Sequence, residues 1–211
     1  QNEIDFRYAG AVAAADNAVI FKSIVKTVAA RNGLTADFSP KPLKDRAGSG
    51  MHINFALRSA AGEDCLAPAI AGIMDRIEAL TAFLNPCPAS YERLGGNKAP
   101  GYISWSSQNR SQLIRIPAAE GEFIRAELRS PDPEANPYIA FALLIYAGLE
   151  GIEKNLKLPE SADMNLFSAP PQVLAKFRKL PGSLEAAKAA ARESGFVRKY
   201  LPEELIGIYC S

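Results

Sequence analysis

Cysteine is scarce in this chain. Cys65, Cys87 and Cys210 are the whole supply, and they lie far apart. An odd count with no pair at metal-ligand spacing excludes a disulfide framework and a thiolate metal centre. Reduced thiols in a cytoplasmic protein are the expectation. Excess charge is missing too: 24 basic residues against 23 acidic ones leave a net charge of +1. Such a balance offers no field for nucleic acid or an anionic membrane, and neither is expected as a partner. The longest apolar stretch, around Ile139 to Ala147, is too short to cross a bilayer. No signal-peptide pattern, Walker-type phosphate loop, internal repeat or linker is present. A cysteine–histidine nucleophile also finds no support, because neither Cys65 nor Cys87 lies in a nucleophile-type turn near His52, the single histidine.

What is present suffices for a core: 211 residues, 48% of them hydrophobic. Asp16 is placed to cap a helix running to about Asn32. Val19, Ile20, Ile24, Val25 and Val28 give it an apolar face, and Gly33 ends it. Leu34, Ala36 and Phe38 alternate as a short strand, followed by a basic loop from Pro40 to Gly48. Met51, Ile53, Phe55 and Leu57 alternate with His52, Asn54, Ala56 and Arg58, a strand with one greasy and one polar face. Pro68 to Leu84 reads as an amphipathic helix, and Asn85 to Pro100 as loop. Tyr102 to Trp105, Leu113 to Ile116 and Phe123 to Arg129 read as strands. Asn136-Pro137 opens a helix, apolar almost all round to Leu149, that should be buried. Ser183 to Glu193 and Leu201 to Ser211 complete the helices. Strands and helices mix without βαβ regularity, so the fold class expected is α+β, with a mixed, largely antiparallel sheet.

The segment Arg125-Ala126-Glu127-Leu128-Arg129 is the most informative. Alternation places Arg125, Glu127 and Arg129 on one face and Ile124, Ala126 and Leu128 on the other. Three charges on a core strand are costly unless they meet partners. The alternative is a solvated face with surface ion pairs. Arg93, Arg110, Arg115, Arg125 and Arg129 share a window containing one lysine, Lys98. Arginine suits bidentate contact with carboxylate and phosphate, which favours a site for phosphorylated or carboxylate substrates. His52 follows Gly48-Ser49-Gly50 on a polar strand face, where glycines permit close backbone approach to a ligand. A lone histidine is as readily structural. Glu3, His52 and Glu127 are candidate ligands of a hard divalent ion.

These residues also carry a resemblance, running in order along essentially the whole chain. Gln1-Asn2-Glu3, Gly48-Ser49-Gly50-Met51-His52, Ser90-Tyr91-Glu92-Arg93-Leu94, Asn109-Arg110-Ser111, Ile114-Arg115-Ile116-Pro117 and Glu127-Leu128-Arg129-Ser130-Pro131-Asp132-Pro133 resemble glutamine synthetases. The resemblance implies the C-terminal part of their catalytic domain over residues 1–211, with the N-terminal β-grasp domain and the first part of the catalytic domain upstream. Glutamate-like chemistry at Glu3 so near the start points the same way. It implies Glu3 as a ligand of one metal, with His52 and Glu127 as ligands of a second, Mg²⁺ or Mn²⁺. Gly48, Arg93 and Arg129 would bind L-glutamate. Arg110 and Arg115 would be catalytic at the transferred phosphoryl group. Asn54, Arg110, Arg115 and Arg125 would contact ATP. The implied reaction makes γ-glutamyl phosphate from glutamate and ATP, and ammonia displaces phosphate to give glutamine. The longer parent would be a ring-forming homo-oligomer, possibly a dodecamer, and the isolated chain would be inactive.

The chain departs from the family pattern at Lys98, where a glutamate that serves ammonium usually precedes the Ala-Pro of the flap. A cation there opposes ammonium. An amine ligase using an organic amine or polyamine, and a catalytically silent regulatory homologue, therefore stand as alternatives. Some bacterial glutamine synthetases are adenylylated on a tyrosine in an Asn-Leu-Tyr loop. Here that loop reads Asn165-Leu166-Phe167, so control by adenylylation is not expected.

Overall fold

Helix α2 (Leu66–Leu84) forms because Ile70, Ile73, Met74, Ile77, Leu80 and Leu84 recur at helical spacing, and all of them are buried. The computed structural model describes residues 1–96, 98–118 and 124–211. The expected start at Pro68 moves to Leu66, with the Asp64 carboxylate accepting from Leu66 N at 2.9 Å.

Against α2 lies α4 (Pro137–Glu153). It begins where expected: the Asn136 side chain accepts from Tyr138 N at 3.0 Å and Ile139 N at 3.4 Å, and Pro137 occupies the first turn. The two helices approach backbone to backbone. A Cβ on Gly72 would stand 2.2 Å from Ala147 O, and one on Gly151 2.2 Å from Pro68 O. Only glycine fits at this crossing. Contrary to expectation α4 is not buried all round, since Tyr138, Ile145, Tyr146 and Leu149 are exposed.

The sheet has four short strands in the order β1-β4-β3-β2: β1 (Ile53–Phe55), β2 (Trp105–Ser106), β3 (Ile114–Arg115) and β4 (Ala126–Leu128). β4 pairs antiparallel with β1 and β3, and β2 pairs parallel with β3. Each strand is shorter than alternation suggested. Tyr102 forms a lone bridge with Lys179, and Phe123 lies outside the described residues. Leu113, Ile114, Ala126 and Leu128 turn into the same apolar cluster as α2 and α4, which makes the mixed α+β architecture one core.

Four other expectations change. Helix α1 (Ala11–Arg31) starts five residues before Asp16, because the Ala-rich opening is itself strongly helical. Asp16 instead accepts a hydrogen bond from the Tyr138 hydroxyl. Gly33 does end α1, at φ +69°. The apolar face of α1 is not covered: Ile20, Ile24 and Val28 are more than half exposed, and Ala15 alone is buried. Leu34 to Phe38 is not a strand, since it has no strand partner. The expected loop after Asn85 contains α3 (Pro88–Arg93), opened by Pro88 and by reciprocal Cys87–Ser90 hydrogen bonds. Downstream, α5 (Pro171–Leu174) and α7 (Gly195–Tyr200) accompany the expected α6 (Leu184–Glu193) and α8 (Glu203–Cys210). The three cysteines are unpaired.

Away from the sheet, Glu150 of α4 is buried among cations. Its carboxylate meets Arg76 Nη2 at 3.0 Å, Lys154 Nζ at 2.9 Å and Lys199 Nζ at 3.4 Å. Burial pushes its pKa up, but hydrogen bonds from Lys154, Arg76 and Lys199 outweigh that and hold it at about 2. The depressed value adds stability that is fully present above the ordinary pKa of 4.5 and is lost as pH falls toward 2.

The helix crossing and the Glu150 cluster each yield a test. Gly151→Ala should cost about 2–3 kcal/mol despite alanine's better helix propensity. Gly148→Ala meets nothing closer than 3.5 Å and Gly207→Ala meets nothing within 4 Å, so both should be near neutral by urea titration. Glu150→Gln should lower stability by about 1–3 kcal/mol at pH 7. That deficit should narrow as pH drops below about 4.5, and a deficit constant across this range would remove the charge argument.

Candidate functional site

The register of β1, β4 and β3 aligns Asn54, Glu127 and Arg115 directly across the sheet, with Ile53, Leu128 and Ile114 aligned behind them. One face is thus polar and the other belongs to the core. Arg125 and Arg129 flank Glu127 two residues away along its own strand, and His52 lies diagonally across from it, all on the polar side. Around Glu127 and Arg129 this face is withdrawn from solvent, at 9% and 4% exposed, while Asn54 and Arg125 are open to it.

Glu127 gathers the cluster. Its Oε1 lies 3.1 Å from His52 Nδ1 and 2.9 Å from Arg129 Nη1, and its Oε2 lies 3.3 Å from Arg115 Nη1. Burial acts to raise its pKa. The His52 hydrogen bond and the charges of Arg129, His52 and Arg115 prevail and hold it at about 2. Glu127 is therefore an anion at any physiological pH. Its Oε2 is buried without a hydrogen bond among the described residues, so one oxygen keeps free lone pairs.

Arg129 spends its donors inward. Beyond Glu127, its Nε donates to Arg110 O at 3.2 Å and its Nη2 to Lys98 O at 3.3 Å. It thereby ties two loops to the carboxylate. Lys98 is itself in the left-handed region at φ +74°, unusual for a side chain with a Cβ, and is exposed. The turn carrying Arg110 is braced from beneath. Ser106 Oγ accepts from Gln108 N and Asn109 N at 3.1 and 3.0 Å. Ser111 Oγ accepts from Leu166 N at 2.9 Å, and Gln112 Nε2 donates to Met164 O at 2.8 Å. The 162–167 loop is thus a support for this turn, while the Phe167 ring beside it is exposed.

Arg93, at the end of α3, is buried. Its Nη1 donates to Ser130 O at 2.7 Å and its Nη2 to Arg129 O at 3.1 Å. Burial lowers its pKa to about 10, well above neutrality. The Gly48-Ser49-Gly50 segment packs over this side chain. It is pinned by Ser49 N to Pro40 O and Met51 N to Pro131 O, both 2.9 Å. A Cβ on Gly48 would stand 2.3 Å from Pro40 O and 2.9 Å from Arg93 Cγ. One on Gly50 would stand 2.6 Å from Arg93 Nη2 and 3.0 Å from His52 Nε2. These glycines make room for Arg93 and His52.

The candidates group unequally. His52, Glu127, Arg115 and Arg129 are in contact, with Arg93 and Gly48 next to them. Asn54 and Arg125 form an exposed pair, Arg125 Nε to Asn54 Oδ1 at 3.3 Å. Arg110 enters through its carbonyl, and its side chain is exposed. Glu3 is exposed on the leading segment, where Gln1 Nε2 donates to Gly48 O at 2.9 Å. Glu3 does not join His52 and Glu127: among the described residues no three ligating side chains form a metal-binding group. Sequence reasoning missed Asn85 and Asp132 as site residues. Both are wholly buried, and Asn85 Nδ2 donates to Ser130 O and to Asp132 Oδ2, each at 2.8 Å. Asp132 lies in the Glu127 to Pro133 segment that carries the resemblance and Asn85 opens the segment after α2, but no role was assigned to either side chain.

A sheet face of guanidinium groups around a carboxylate and an imidazole suits phosphate and carboxylate ligands and a hard cation. That class has a family. The chain belongs to the glutamine synthetase family: residues 1–211 match the model of the glutamine synthetase catalytic domain. It is 40% identical over 225 residues to a glutamine synthetase of Clostridium saccharobutylicum, covering 99% of this chain and 51% of that protein. It is 42% identical to a glutamine synthetase of Methanosarcina mazei, covering 99% of this chain and 50% of that protein. The chain spans about half the length of the curated relatives it matches. Among solved structures, a GmaS–ADP complex superposes with a TM-score of 0.85 at 30% identity, over 97% of this chain and 50% of that one. GmaS without ligand gives 0.83 at 31% identity. No helix among the described residues is long and apolar enough to cross a membrane.

The two glycines separate stability from site geometry. Gly48→Ala meets backbone, and should cost about 2 kcal/mol or more in urea denaturation. Gly50→Ala meets the ends of Arg93 and His52, the former pinned, and should cost about 1–2 kcal/mol. It should nevertheless shift the NMR ring signals of His52, the single histidine, and an unshifted spectrum would refute the packing described.

Proposed function

We propose that this chain is the C-terminal part of the catalytic domain of a glutamine synthetase-type ligase. That ligase joins ammonia to the γ-carboxylate of L-glutamate at the expense of ATP, through γ-glutamyl phosphate. The contact of Glu127 with His52, Arg115 and Arg129 on one sheet face carries the proposal.

In this reading Arg93 and Arg129 set the charge that draws in glutamate, with Gly48 offering backbone beside it. Arg93 retains unused N–H donors beyond its two carbonyl contacts. Arg110 and Arg115 face the phosphoryl group in flight, where spread negative charge needs fixed cations. Asn54 and Arg125 flank ATP at the exposed sheet edge, and the ADP bound by GmaS supports a nucleotide in this fold. The glutamate γ-carboxylate attacks the γ-phosphorus, ADP leaves, and the amine then displaces phosphate. His52 and Glu127 fit a divalent ion, Mg²⁺ or Mn²⁺: one buried Glu127 oxygen lacks a hydrogen bond, and an imidazole stands beside it. When bound, such an ion supplies charge neutralisation at the phosphates. Two donors are too few for a hard cation, so further oxygen ligands belong to other polypeptide, and Glu3 would serve a separate ion. Ring assembly of the longer protein, in the cytoplasm, is part of the proposal. The uncovered apolar face of α1 supports contact with additional polypeptide.

A second reading, in which the amine is organic, draws on Lys98. Its exposed ammonium sits on the loop that Arg129 ties to Glu127, and a cation there opposes ammonium.

The test is phosphate release and product analysis, using a polypeptide extended to the full length of the curated relatives. ATP, glutamate, Mg²⁺ and a panel of ammonia, methylamine, ethanolamine and putrescine would be supplied. Glutamine as the dominant product supports the first reading, and a larger kcat/KM for an organic amine supports the second. Glutamate binding without turnover on any amine would overturn both in favour of a regulatory homologue. The 211-residue chain alone should release no phosphate.

A further inference from the structure

Beneath the site lies a buried carboxylate to which the reaction above assigns nothing. Asp132 is wholly buried in the Ser130-Pro131-Asp132-Pro133 turn. Its Oδ1 accepts from Glu134 N at 3.0 Å, and its own N–H donates to Leu84 O at 3.2 Å, which fixes it to the end of α2. Its Oδ2 accepts one hydrogen of the Asn85 amide at 2.8 Å. The other hydrogen of that amide goes to Ser130 O at 2.8 Å. The same carbonyl oxygen accepts from Arg93 Nη1 at 2.7 Å. A continuous path therefore runs from carboxylate to amide to carbonyl to guanidinium, through wholly or largely buried groups.

Arg93 has unusual need of such a path. It is 4% exposed and carries a full charge, yet among the described residues its hydrogen bonds go to carbonyls and not to a carboxylate. A buried cation without counter-charge is expensive. Burial pushes the Asp132 carboxyl up and the Arg93 guanidinium down, and each charge opposes the shift of the other. A neutral residue at 132 could complete a turn, but it could not stabilise this cation.

We propose that Asp132, acting through the Asn85 amide and the Ser130 carbonyl, is a positioning residue that holds the Arg93 guanidinium charged and aimed beside Gly48 and Gly50 for the carboxylate of the substrate. The inference rests on the assignment of Arg93 to glutamate. It makes the Asn-Pro segment after α2 and the Ser-Pro-Asp-Pro turn parts of substrate recognition, although neither reaches the substrate.

A double-mutant cycle tests it in the polypeptide extended to the full length of the curated relatives. Asp132→Asn and Asn85→Ala should each raise KM for glutamate on the order of tenfold, with kcat and KM for ATP changed less than about threefold. In an Arg93→Met background the same changes should have almost no further effect, because the cation they act on is gone. Additive losses, or equal losses in kcat and in both KM values, would overturn the inference by making Asp132 a turn former only. If neither variant folds cooperatively by circular dichroism, the network is core structure and the inference also falls. Absence of glutamate turnover in the unmodified protein would sink the functional reading instead. Glutamate turnover with an additive cycle would sink this inference alone.

Discussion

The polar face of the sheet turns on the carboxylate of Glu127. Glu127 sits on β4, between β1 and β3, withdrawn from water, where an isolated charge would be prohibitive. Three cationic or cation-capable side chains from three segments meet it: His52 from before β1, Arg115 from β3 and Arg129 from after β4. Each needs the anion as much as the anion needs them. Removing Glu127 would leave Arg129 buried with its charge unanswered, and with it would loosen the loops that Arg129 holds by the Lys98 and Arg110 carbonyls.

The layers beneath keep that cluster still. The polar face is rigid because its reverse side, Ile53, Ile114 and Leu128, packs into a core organised by α2 and α4. Those helices meet through Gly72 and Gly151, so their separation is set by backbone contact and not by adaptable side chains. The end of α2 leads directly into Asn85, hence into the Ser130 carbonyl and Arg93. A hydrogen-bond path thus links the end of α2 to the guanidinium of Arg93. Membership of the glutamine synthetase family places this construction in a group whose named relatives are about twice the length of this chain.

The candidate site was more legible than the secondary structure. Alternation put Glu127 and Arg129 on one face and His52 on the polar face of another strand, and strand pairing brought them together. Strand limits failed because only two or three residues in each strand pair, while hydrophobic alternation continues past the last ladder bond. Asp16 misled because a capping residue type was preceded by an alanine run that is itself helical. Helix α3 was hidden by the prolines and glycines around it, although Pro88 at a first turn is a helix starter. The glycines of Gly48-Ser49-Gly50 were read as room for a ligand, and what fills that room is Arg93 and His52.

By itself the sequence determined the class of the protein and the kind of side chain available for chemistry. Periodicity and residue type are local properties, and they survive in a string of letters. Whether a charged strand face was solvent or site was a different matter, because burial and pairing depend on what other segments bring to the same place. The tertiary structure decided that Glu127 is desolvated, that Glu3 stands apart from it, and that Asn85 and Asp132 lie behind Arg93. It also decided that α1 keeps its apolar side uncovered. A helix pattern specifies which face is apolar, but only the rest of the fold determines whether anything packs against it.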